Sequence, residues 1–322
     1  MSASLPEAIL GLLRGAGLAA ADEVPAATAL AGGVSSEIWR VDLARGPVCV
    51  KRALPRLKVA QLWEAPVERN RYEQEWMRVA AEAAPGAAPR VLAQGDDLFA
   101  MEYLDLPLWK AELRDGRADP AFAAAVGRTL AAIHRGTAGR PDIARRFATD
   151  AIFHAIRLEP YLVATAAKHS DLSERIMVLV DRTAKTRACM VHGDVSPKNI
   201  LVTPHGPVFL DAECAWYGDP AFDIAFCLNH LLLKCLWVPR AQQGFLACFD
   251  ALLKGYSPEE AVEIRSAALL PALLLARVDG KSPVEYLDAR GQEHVRRTAR
   301  SLILFPEEKL SSIRDAWQKS LR

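Results

Sequence analysis

The stretch that decides the fold of this chain reads MVHGDVSPKNILV and runs from Met190 to Val202. Two apolar runs, each suited to a short buried strand, flank a polar loop that holds His192, Asp194 and Asn199. Asp211 stands twelve residues beyond Asn199, at the end of the next apolar run. An aspartate can orient and deprotonate a hydroxyl, and an asparagine with a second aspartate offers hard oxygen ligands to Mg2+. The pattern therefore indicates phosphoryl transfer.

Length and charge set the broad class. The chain has 322 residues, which exceeds a typical single core and favours two lobes. Hydrophobic residues make up 51% and charged residues 25%, as in an ordinary globular protein. Lysine and arginine number 40 against 39 acidic residues, so the formal net charge is +1. This balance gives no support for a nucleic-acid partner or a membrane surface.

The cysteines and the apolar stretches predict a cytoplasmic protein. The cysteines show no CxxC spacing, and most stand within apolar runs, so we expect reduced thiols rather than disulfides or a zinc site. The apolar core of the N-terminal segment, Ala8 to Leu13, is too short for a signal peptide. Two longer apolar stretches, Pro220 to Val238 and Ser266 to Val278, contain polar residues and favour buried helices over membrane spans.

Strand-like runs and one helical run make up residues 1–105, which we predict to form an N-lobe. Lys51 stands in the middle of an apolar strand, where a cation either reaches the sheet edge or has a designated anion. The following helical run carries Glu68, Glu73 and Glu75, any of which can face Lys51. The predicted elements are strands over Ile38 to Leu43, Val48 to Ala53, Arg90 to Ala93 and Leu98 to Tyr103, and a helix over Val67 to Ala84.

Long helical runs dominate residues 106–322, which we predict to form a C-lobe. The short strands of the MVHGDVSPKNILV stretch interrupt these helices. Proline at several predicted helix starts agrees with its preference for the first helical turn. The predicted helices span about Pro120 to Arg135, Asp150 to Lys168, Leu172 to Lys185, Pro220 to Trp237, Pro239 to Lys254, Pro258 to Val278, Gln292 to Leu304 and Pro306 to Lys319.

A glycine pair precedes the first predicted strand, in the segment Ala31 to Ser36. Glycines allow close approach of the backbone, so the segment can lay amide groups against phosphates. The alternative is an ordinary hairpin turn, because Gly-Gly is a common turn sequence and the segment lacks the full GxGxxG spacing.

Two motifs follow a strand lysine and a helix glutamate in a fixed order: HGDxxxxN, from His192 to Asn199, and DxE, from Asp211 to Glu213. In this combination the chain, from about Ala31 to Phe226, resembles the aminoglycoside phosphotransferase (APH)-like family of small-molecule kinases. The resemblance implies an α+β, bilobal, protein-kinase-like fold. It places a small antiparallel sheet and one helix in the N-lobe, a larger and mainly helical C-lobe after it, and ATP and Mg2+ as cofactors.

Within that family the chain partly resembles methylthioribose kinases. The similar segments are Lys51 to Pro55, Trp63 to Glu73 and Asp211 to Leu233. The loop Val195 to Asn199 instead has the general APH pattern, and the chain is shorter than those enzymes. The thiosugar substrate is therefore not carried over from this resemblance alone.

The resemblance assigns roles to the motif residues. Asp194 would be the catalytic base that receives a hydrogen bond from the substrate hydroxyl, with Asn199 and Asp211 also in the catalytic set. Asn199 and Asp211 would bind Mg2+, and Glu213 would reach the metal directly or through water. Lys51 would hold the α- and β-phosphates of ATP.

The remaining nucleotide contacts are implied in the same way. Glu73 is the expected partner of Lys51, because it fits the family's helix register, and Glu75 is the second choice. The predicted backbone contacts are Gly32, Gly33, Ser35 and Ser36 over the phosphates, and Met101, Glu102 and Leu104 as the hinge around adenine. His192 and Asp223 are expected to brace the catalytic loop rather than to react.

The sequence says least about the compound that accepts the phosphoryl group. The polar break Arg277 to Leu287 is either an ordinary helix connection or a substrate-facing loop, with Arg277, Asp279 and Lys281 aimed at hydroxyls or an anionic group. The expected activity is phosphorylation of a small hydroxylated metabolite, such as a sugar, thiosugar or amino alcohol. The alternatives are a catalytically idle nucleotide-binding protein, an aminoglycoside-modifying enzyme and a protein kinase. The sequence sets no oligomeric state.

Overall fold

The computed structural model describes residues 5–30, 36–54, 66–95 and 97–322. The chain divides into two compact units, Met1–Asp105 and Leu106–Arg322. No helix within the described ranges combines the length and the apolar character needed to cross a bilayer. All six cysteines are buried free thiols.

The first unit is built on one antiparallel sheet of five strands. Its strand order is β1-β2-β3-β5-β4, and a hairpin joins β2 to β3 with Leu43 opposite Gly46. Gly46 has φ +112°, a conformation that favours glycine, which explains the turn at this position. The elements are α1 (Glu7–Gly15), β1 (Ala26–Ala29), β2 (Ser36–Leu43), β3 (Gly46–Ala53), α2 (Arg69–Ala83), β4 (Val91–Ala93) and β5 (Leu98–Glu102).

Alternating apolar residues give this sheet its core. Val41, Val50 and Ala100 are fully buried, and they belong to one cluster with Ile9 and Leu13 from α1. Side chains on a strand alternate between faces, so the same strands can direct polar groups such as Lys51 to the other face. Strand β1 was not predicted, since its sequence AATA carries little apolar signal.

The second unit is mainly helical and holds two short, two-stranded sheets. Strand β6 pairs with β9, and β7 pairs with β8, all antiparallel. The elements are α3 (Trp109–Arg114), α4 (Pro120–Thr137), α5 (Pro141–Arg146), α6 (Asp150–Phe153), α7 (Ala164–Lys168), α8 (Ser173–Lys185), β6 (Cys189–Val191), β7 (Ile200–Thr203), β8 (Gly206–Phe209), β9 (Trp216–Gly218), α9 (Pro220–Trp237), α10 (Gln242–Tyr256), α11 (Glu260–Asp279), α12 (Ala289–Leu304) and α13 (Leu310–Ser320).

Helix α9 illustrates why these helices begin where they do. Pro220 occupies the first turn, where the missing N–H costs no hydrogen bond, and Asp219 caps the helix by accepting from the Ala221 amide at 3.0 Å. The sequence predicted this helix from Pro220 to Trp237. The sheet-plus-helix unit followed by a helical unit confirms the α+β class.

One predicted helix has a different internal form. The sequence predicted a single helix over Asp150 to Lys168, but a π-helix over His154–Val163 lies between α6 and α7. Pro160 stands inside it and lacks the N–H that a regular helix requires. π-Helical turns occur frequently at functional sites, which directs attention to the side chains of this segment.

Candidate active site

The loop after β6 is held by one buried carboxylate. Asp223 accepts hydrogen bonds from the amides of His192 (2.7 Å) and Gly193 (2.8 Å). It also accepts from Nε2 of His134 at 3.2 Å, and Nδ1 of that ring lies 2.8 Å from the Tyr256 hydroxyl. The backbone conformation of the loop is thus fixed from α9, with support from α4 and α10. The prediction that Asp223 braces this loop is confirmed.

His192 joins the loop to the strand that precedes the second acidic motif. Its Nδ1 accepts from the Asp194 amide at 3.1 Å, and its Nε2 donates to the Leu210 carbonyl at 3.0 Å. Burial lowers the pKa of His192 below its usual range, although Asp223 and Asp194 oppose the effect. A neutral imidazole can accept at one nitrogen and donate at the other, as this arrangement requires. The predicted bracing role of His192 is confirmed.

Arg157, from the π-helix, fixes both the backbone and the side chain of the loop. Its Nε donates to the Gly193 carbonyl at 2.6 Å, and its Nη2 lies 2.8 Å from Oδ2 of Asp194. Gly193 has φ +79°, which favours glycine, and a Cβ there would lie 2.7 Å from the Cys214 carbonyl oxygen. The loop therefore presents Asp194 from a tightly constrained backbone.

Asp194 is buried and yet bears a negative charge. Burial alone would raise its pKa, but the cations Arg157 and Lys198 outweigh burial, and the pKa lies below its usual range. Lys198 Nζ lies 3.2 Å from Oδ2 of Asp194. An ionised carboxylate on a rigid loop can accept a hydrogen bond from a hydroxyl and later take its proton.

The predicted metal ligands sit at the open end of the β7–β8 hairpin. Ile200 pairs with Phe209, and the Leu210 amide donates to the Asn199 carbonyl at 2.8 Å, which brings Asp211 next to this position. The Asn199 side-chain amide donates to the Asp194 carbonyl at 3.1 Å. Its Oδ1 accepts no hydrogen bond from the described residues and is available as an oxygen ligand.

Asp211 has an unusual backbone. Its φ is +65°, in the left-handed region that few residues other than glycine adopt. Such strain persists where the surrounding structure dictates it and concentrates at functional sites. Two residues on, Glu213 is buried, as the predicted role beside the metal would require. The described residues hold no trio of His, Cys, Asp or Glu suited to a metal.

In the first unit, Lys51 has a carboxylate partner. Its Nζ lies 2.7 Å from Oε2 of Glu73, and the two side chains are 2% and 1% exposed. The second choice, Glu75, instead contacts Arg78 at 3.6 Å. The structure therefore contains the ion pair that the helix register predicted.

The residues predicted to cover the phosphates fall partly outside the described structure. Gly32, Gly33 and Ser35 lie outside the described residues. Ser36 begins β2 opposite Ala53, on the sheet face that also carries Lys51. Its buried Oγ has no hydrogen-bond partner in the described part of the chain.

The predicted hinge lies at the end of the first unit. Met101 and Glu102 belong to β5, where Glu102 pairs with Val48 and its amide donates to the Arg90 carbonyl at 2.9 Å. Leu104 follows the strand and donates no backbone hydrogen bond to the described residues. Its amide can therefore serve as the expected adenine contact.

Two residues of the polar break between α11 and α12 form ion pairs with neighbouring helices. Asp279 accepts from Arg296 at 3.0 Å and lies 2.9 Å from Nε2 of His169. Lys281 pairs with Glu159 at 2.6 Å. These ion pairs tie the loop to neighbouring helices, so they favour the structural alternative for both residues.

Helix α9 carries a buried lysine that the sequence left without a role. Lys234 Nζ lies 4.1 Å from the ring centre of Trp237 and 3.8 Å from that of Tyr286, and the two rings stack. Lys234 forms no salt bridge or hydrogen bond with the residues that the structure describes. Burial and then the charge of Lys110 lower its pKa to about 7, while Glu285 opposes them.

Lys234→Met is expected to raise the free energy of unfolding by about 1–4 kcal/mol near pH 7, because it replaces a buried charge with an apolar chain of similar volume. The pKa is about 10.4 in an unfolded chain and about 7 in the fold. Between these values the unfolded chain binds more protons, so wild-type stability rises with pH. The advantage of the variant should therefore be full below about pH 7 and nearly gone by about pH 10.

Urea unfolding of both proteins across this pH range measures the effect. Lys254→Met, which removes an exposed lysine from α10, is the matched control and should show no such trend. A constant difference between wild type and Lys234→Met at every pH would contradict the assigned pKa.

Comparison with known proteins finds a matching family model and relatives of similar sequence. The family model described as APH, phosphotransferase enzyme family, matches residues 26–263. A methylthioribose kinase of Bacillus cereus is 24% identical over 238 residues, which cover 65% of this chain and 61% of that protein. The methylthioribose kinase of Bacillus mycoides is 25% identical over 233 residues, covering 62% and 58%. The chain thus spans about three fifths of the length of the curated relatives it matches.

Solved structures resemble nearly the whole chain. Choline kinase from Cryptosporidium parvum superposes with a TM-score of 0.57 at 15% identity, covering 93% of this chain and 96% of that one. Amicoumacin kinase in complex with AMP-PNP, Ca2+ and Ami gives 0.55 at 15% identity, with coverage of 95% and 96%. Aminoglycoside phosphotransferase from Alicyclobacillus acidocaldarius gives 0.54 at 17% identity, covering 100% and 96%. These likenesses confirm the protein-kinase-like fold.

Proposed function

We propose a function from the premise that this chain belongs to the APH phosphotransferase enzyme family, which matches it over residues 26–263. In this proposal the protein transfers the γ-phosphoryl group of ATP to a hydroxyl of a small metabolite. The observation that carries the proposal is the buried, ionised Asp194 on a loop fixed by Asp223. A carboxylate so held is suited to orient one hydroxyl for attack.

In this proposal the chain's own residues take the following roles. Asp194 accepts a hydrogen bond from the acceptor hydroxyl and takes its proton late, since phosphoryl transfer proceeds through a loose transition state. Arg157 holds the carboxylate in its ionised form and orientation. Lys51, oriented by Glu73, holds the α- and β-phosphates.

Asn199 and Asp211 supply the oxygen ligands for Mg2+, with Glu213 beside them. When bound there, the ion would neutralise charge on the ATP phosphates. The available Asn199 oxygen and the strained Asp211 backbone support this assignment. A kinase of similar fold was solved with AMP-PNP and Ca2+, which agrees with a nucleotide and a divalent ion.

A pooled screen of small hydroxylated compounds with labelled ATP and Mg2+ tests the proposal. Transfer of label to a sugar, thiosugar or amino alcohol is the expected result. Failure with every small acceptor, together with labelling of a protein, would overturn it. A protein substrate is disfavoured because the buried strand β9 (Trp216–Gly218) follows Asp211 closely and leaves little chain for a peptide-docking segment.

Lys51→Met is expected to lower kcat/KM for ATP by about 10²-fold, the scale of losing one preorganised charge contact to the reacting groups. The matched control is Arg52→Met, because Arg52 is adjacent, points to the opposite sheet face and forms a half-exposed pair with Asp97. Steady-state rates at varied ATP concentration measure the effect. Equal kinetics in the two variants would remove Lys51 from the nucleotide site.

A further inference from the structure

One buried histidine of the second unit lies among cations from four different elements. His230, on α9, has a pKa well below its usual range, first because of burial and then because of Arg277, Lys234, Lys198 and Lys110. Its ring nitrogens form no hydrogen bond with the described residues. The electrostatic effects of these cations therefore converge on the neutral imidazole of His230.

Lys234 lacks adequate compensation for its burial. The rings of Trp237 and Tyr286 stabilise a desolvated cation by about 2 kcal/mol or more, whereas removal of an ion from water costs several kcal/mol. The nearby carboxylate Glu285 pairs with Lys110 at 2.6 Å. The amine is therefore short of an anion.

Arg277 also has a buried polar group without a hydrogen-bond partner among the described residues. Its Nη1 donates to the Tyr161 hydroxyl at 3.2 Å and to the Ser282 carbonyl at 2.5 Å, but its buried Nε has no partner in the described part of the chain. The buried Tyr286 hydroxyl also has none. Buried donors without partners are uncommon in folded proteins, so they point to a ligand.

The aromatic ring of Tyr161 connects Arg277 to the catalytic loop. The guanidinium carbons of Arg277 and Arg157 lie 5.6 and 5.7 Å from its ring centre. Arg157 contacts Asp194 directly at 2.8 Å. The unpartnered donors and the proposed catalytic base thus belong to one continuous set of contacts.

We infer that the phosphate acceptor carries an anionic group, a carboxylate or a phosphate, which Lys234 and Arg277 bind while Asp194 receives the reacting hydroxyl. This inference rests on the proposed function and narrows its acceptor class. A polycationic acceptor is disfavoured, because the aromatic pair Trp237 and Tyr286 already holds the protein's own ammonium.

The helix geometry adds a size requirement. Lys234 lies eleven residues after Asp223 on α9, which corresponds to ~16 Å along the axis, and its Nζ lies over the ring of Trp237, three residues further along the helix. The anionic group and the reacting hydroxyl should therefore be separated by several bonds. Terminal sugar phosphates and sugar acids have this form.

Matched acceptor pairs test the inference with labelled ATP and Mg2+. One pair is a sugar and its terminal phosphate ester, and the other is a sugar acid and its neutral amide. Comparison of the two pairs shows whether the anionic group is a phosphate or a carboxylate. The charged member of at least one pair should have a kcat/KM at least about tenfold higher, equivalent to about 1.4 kcal/mol. Equal or faster turnover of both neutral members would overturn the inference.

Variants connect the preference to the residues. Lys234→Met should reduce the preference for the charged acceptor to about twofold or less, through a higher KM for that acceptor. Arg277→Met is the second variant, and Lys254→Met controls for the loss of one surface charge. An unchanged preference in Lys234→Met would also overturn the inference.

A binding measurement separates this inference from the proposed function. Inorganic phosphate, titrated without nucleotide, should raise the pKa of Lys234 followed by NMR of 13C-labelled lysine, and Arg277→Met should weaken the shift. The shift without transfer to any acceptor would support the anion site and count against the proposed kinase activity. Transfer to neutral acceptors with no shift would support the activity and reject the anion site.

Discussion

Replacement of Asp194 with alanine is expected to lower kcat by about 10²–10⁴-fold, the range for loss of a positioned acid–base group. The physical reason is that the Asp194 carboxylate is buried, ionised and held by Arg157 at 2.8 Å, and the variant removes the group that would accept the hydroxyl proton. Initial rates of label transfer at saturating ATP and Mg2+ measure the loss. Turnover equal to that of the wild type would contradict the role of Asp194 as the base.

The same substitution leaves two cations, Arg157 and Lys198, without their shared counter-ion, and breaking a buried pair costs about 3–5 kcal/mol. Asp194→Asn keeps the shape and some of the hydrogen bonding while removing the base. Both variants should retain ATP affinity within a few-fold, which direct binding can check. Loss of ATP binding in Asp194→Asn would mean that misfolding, rather than loss of chemistry, explains the rate.

Gly193→Ala is expected to destabilise the second unit by about 2–5 kcal/mol and to abolish most activity. A left-handed backbone costs a residue with a Cβ about 1–2 kcal/mol, and φ is +79° here. The new Cβ would also lie 2.7 Å from the Cys214 carbonyl oxygen and 2.8 Å from its Cβ. Relief of that clash costs about 1–3 kcal/mol more and moves the adjacent Asp194.

Gly139→Ala is the matched control. Gly139 has φ +66°, but a Cβ there meets nothing within 4 Å, so only the backbone cost of about 1–2 kcal/mol applies. Denaturant unfolding and label transfer on both variants compare the two positions. Equal stability losses, or full activity in Gly193→Ala, would show that the contact with Cys214 does not constrain the loop.

Local signals made most of the fold predictable. The helix over Pro220–Trp237 was predicted in full because a capping aspartate, a proline and an apolar run lie next to each other in sequence. The π-helix over His154–Val163 was not, since periodicity alone does not distinguish it from an α-helix. The short strand Ala26–Ala29 was missed because its pairing with β2, rather than its composition, makes it a strand.

The residues of the candidate site were likewise predicted only in part from the sequence. Asp194, Asn199 and Asp211 were predicted from the sequence, because the chemistry proposed for them depends on residue type and close spacing. Arg157 was missed, since it contacts the Gly193 carbonyl across 36 residues of chain. Its only sequence signal was a charge in an apolar run shortly before Pro160.

The sequence by itself determined the kind of reaction that the proposal assigns, because the groups that position a hydroxyl and bind a metal lie within one loop and hairpin. Only the tertiary structure decided which carboxylate pairs with Lys51, what keeps Asp194 ionised and which donors remain unpartnered. The physical reason is that pairing and the cost of burial depend on neighbours from distant segments. Lys234 appears in the sequence as one polar residue in an apolar helix, and packing against Trp237 and Tyr286 makes it a buried cation without an anion.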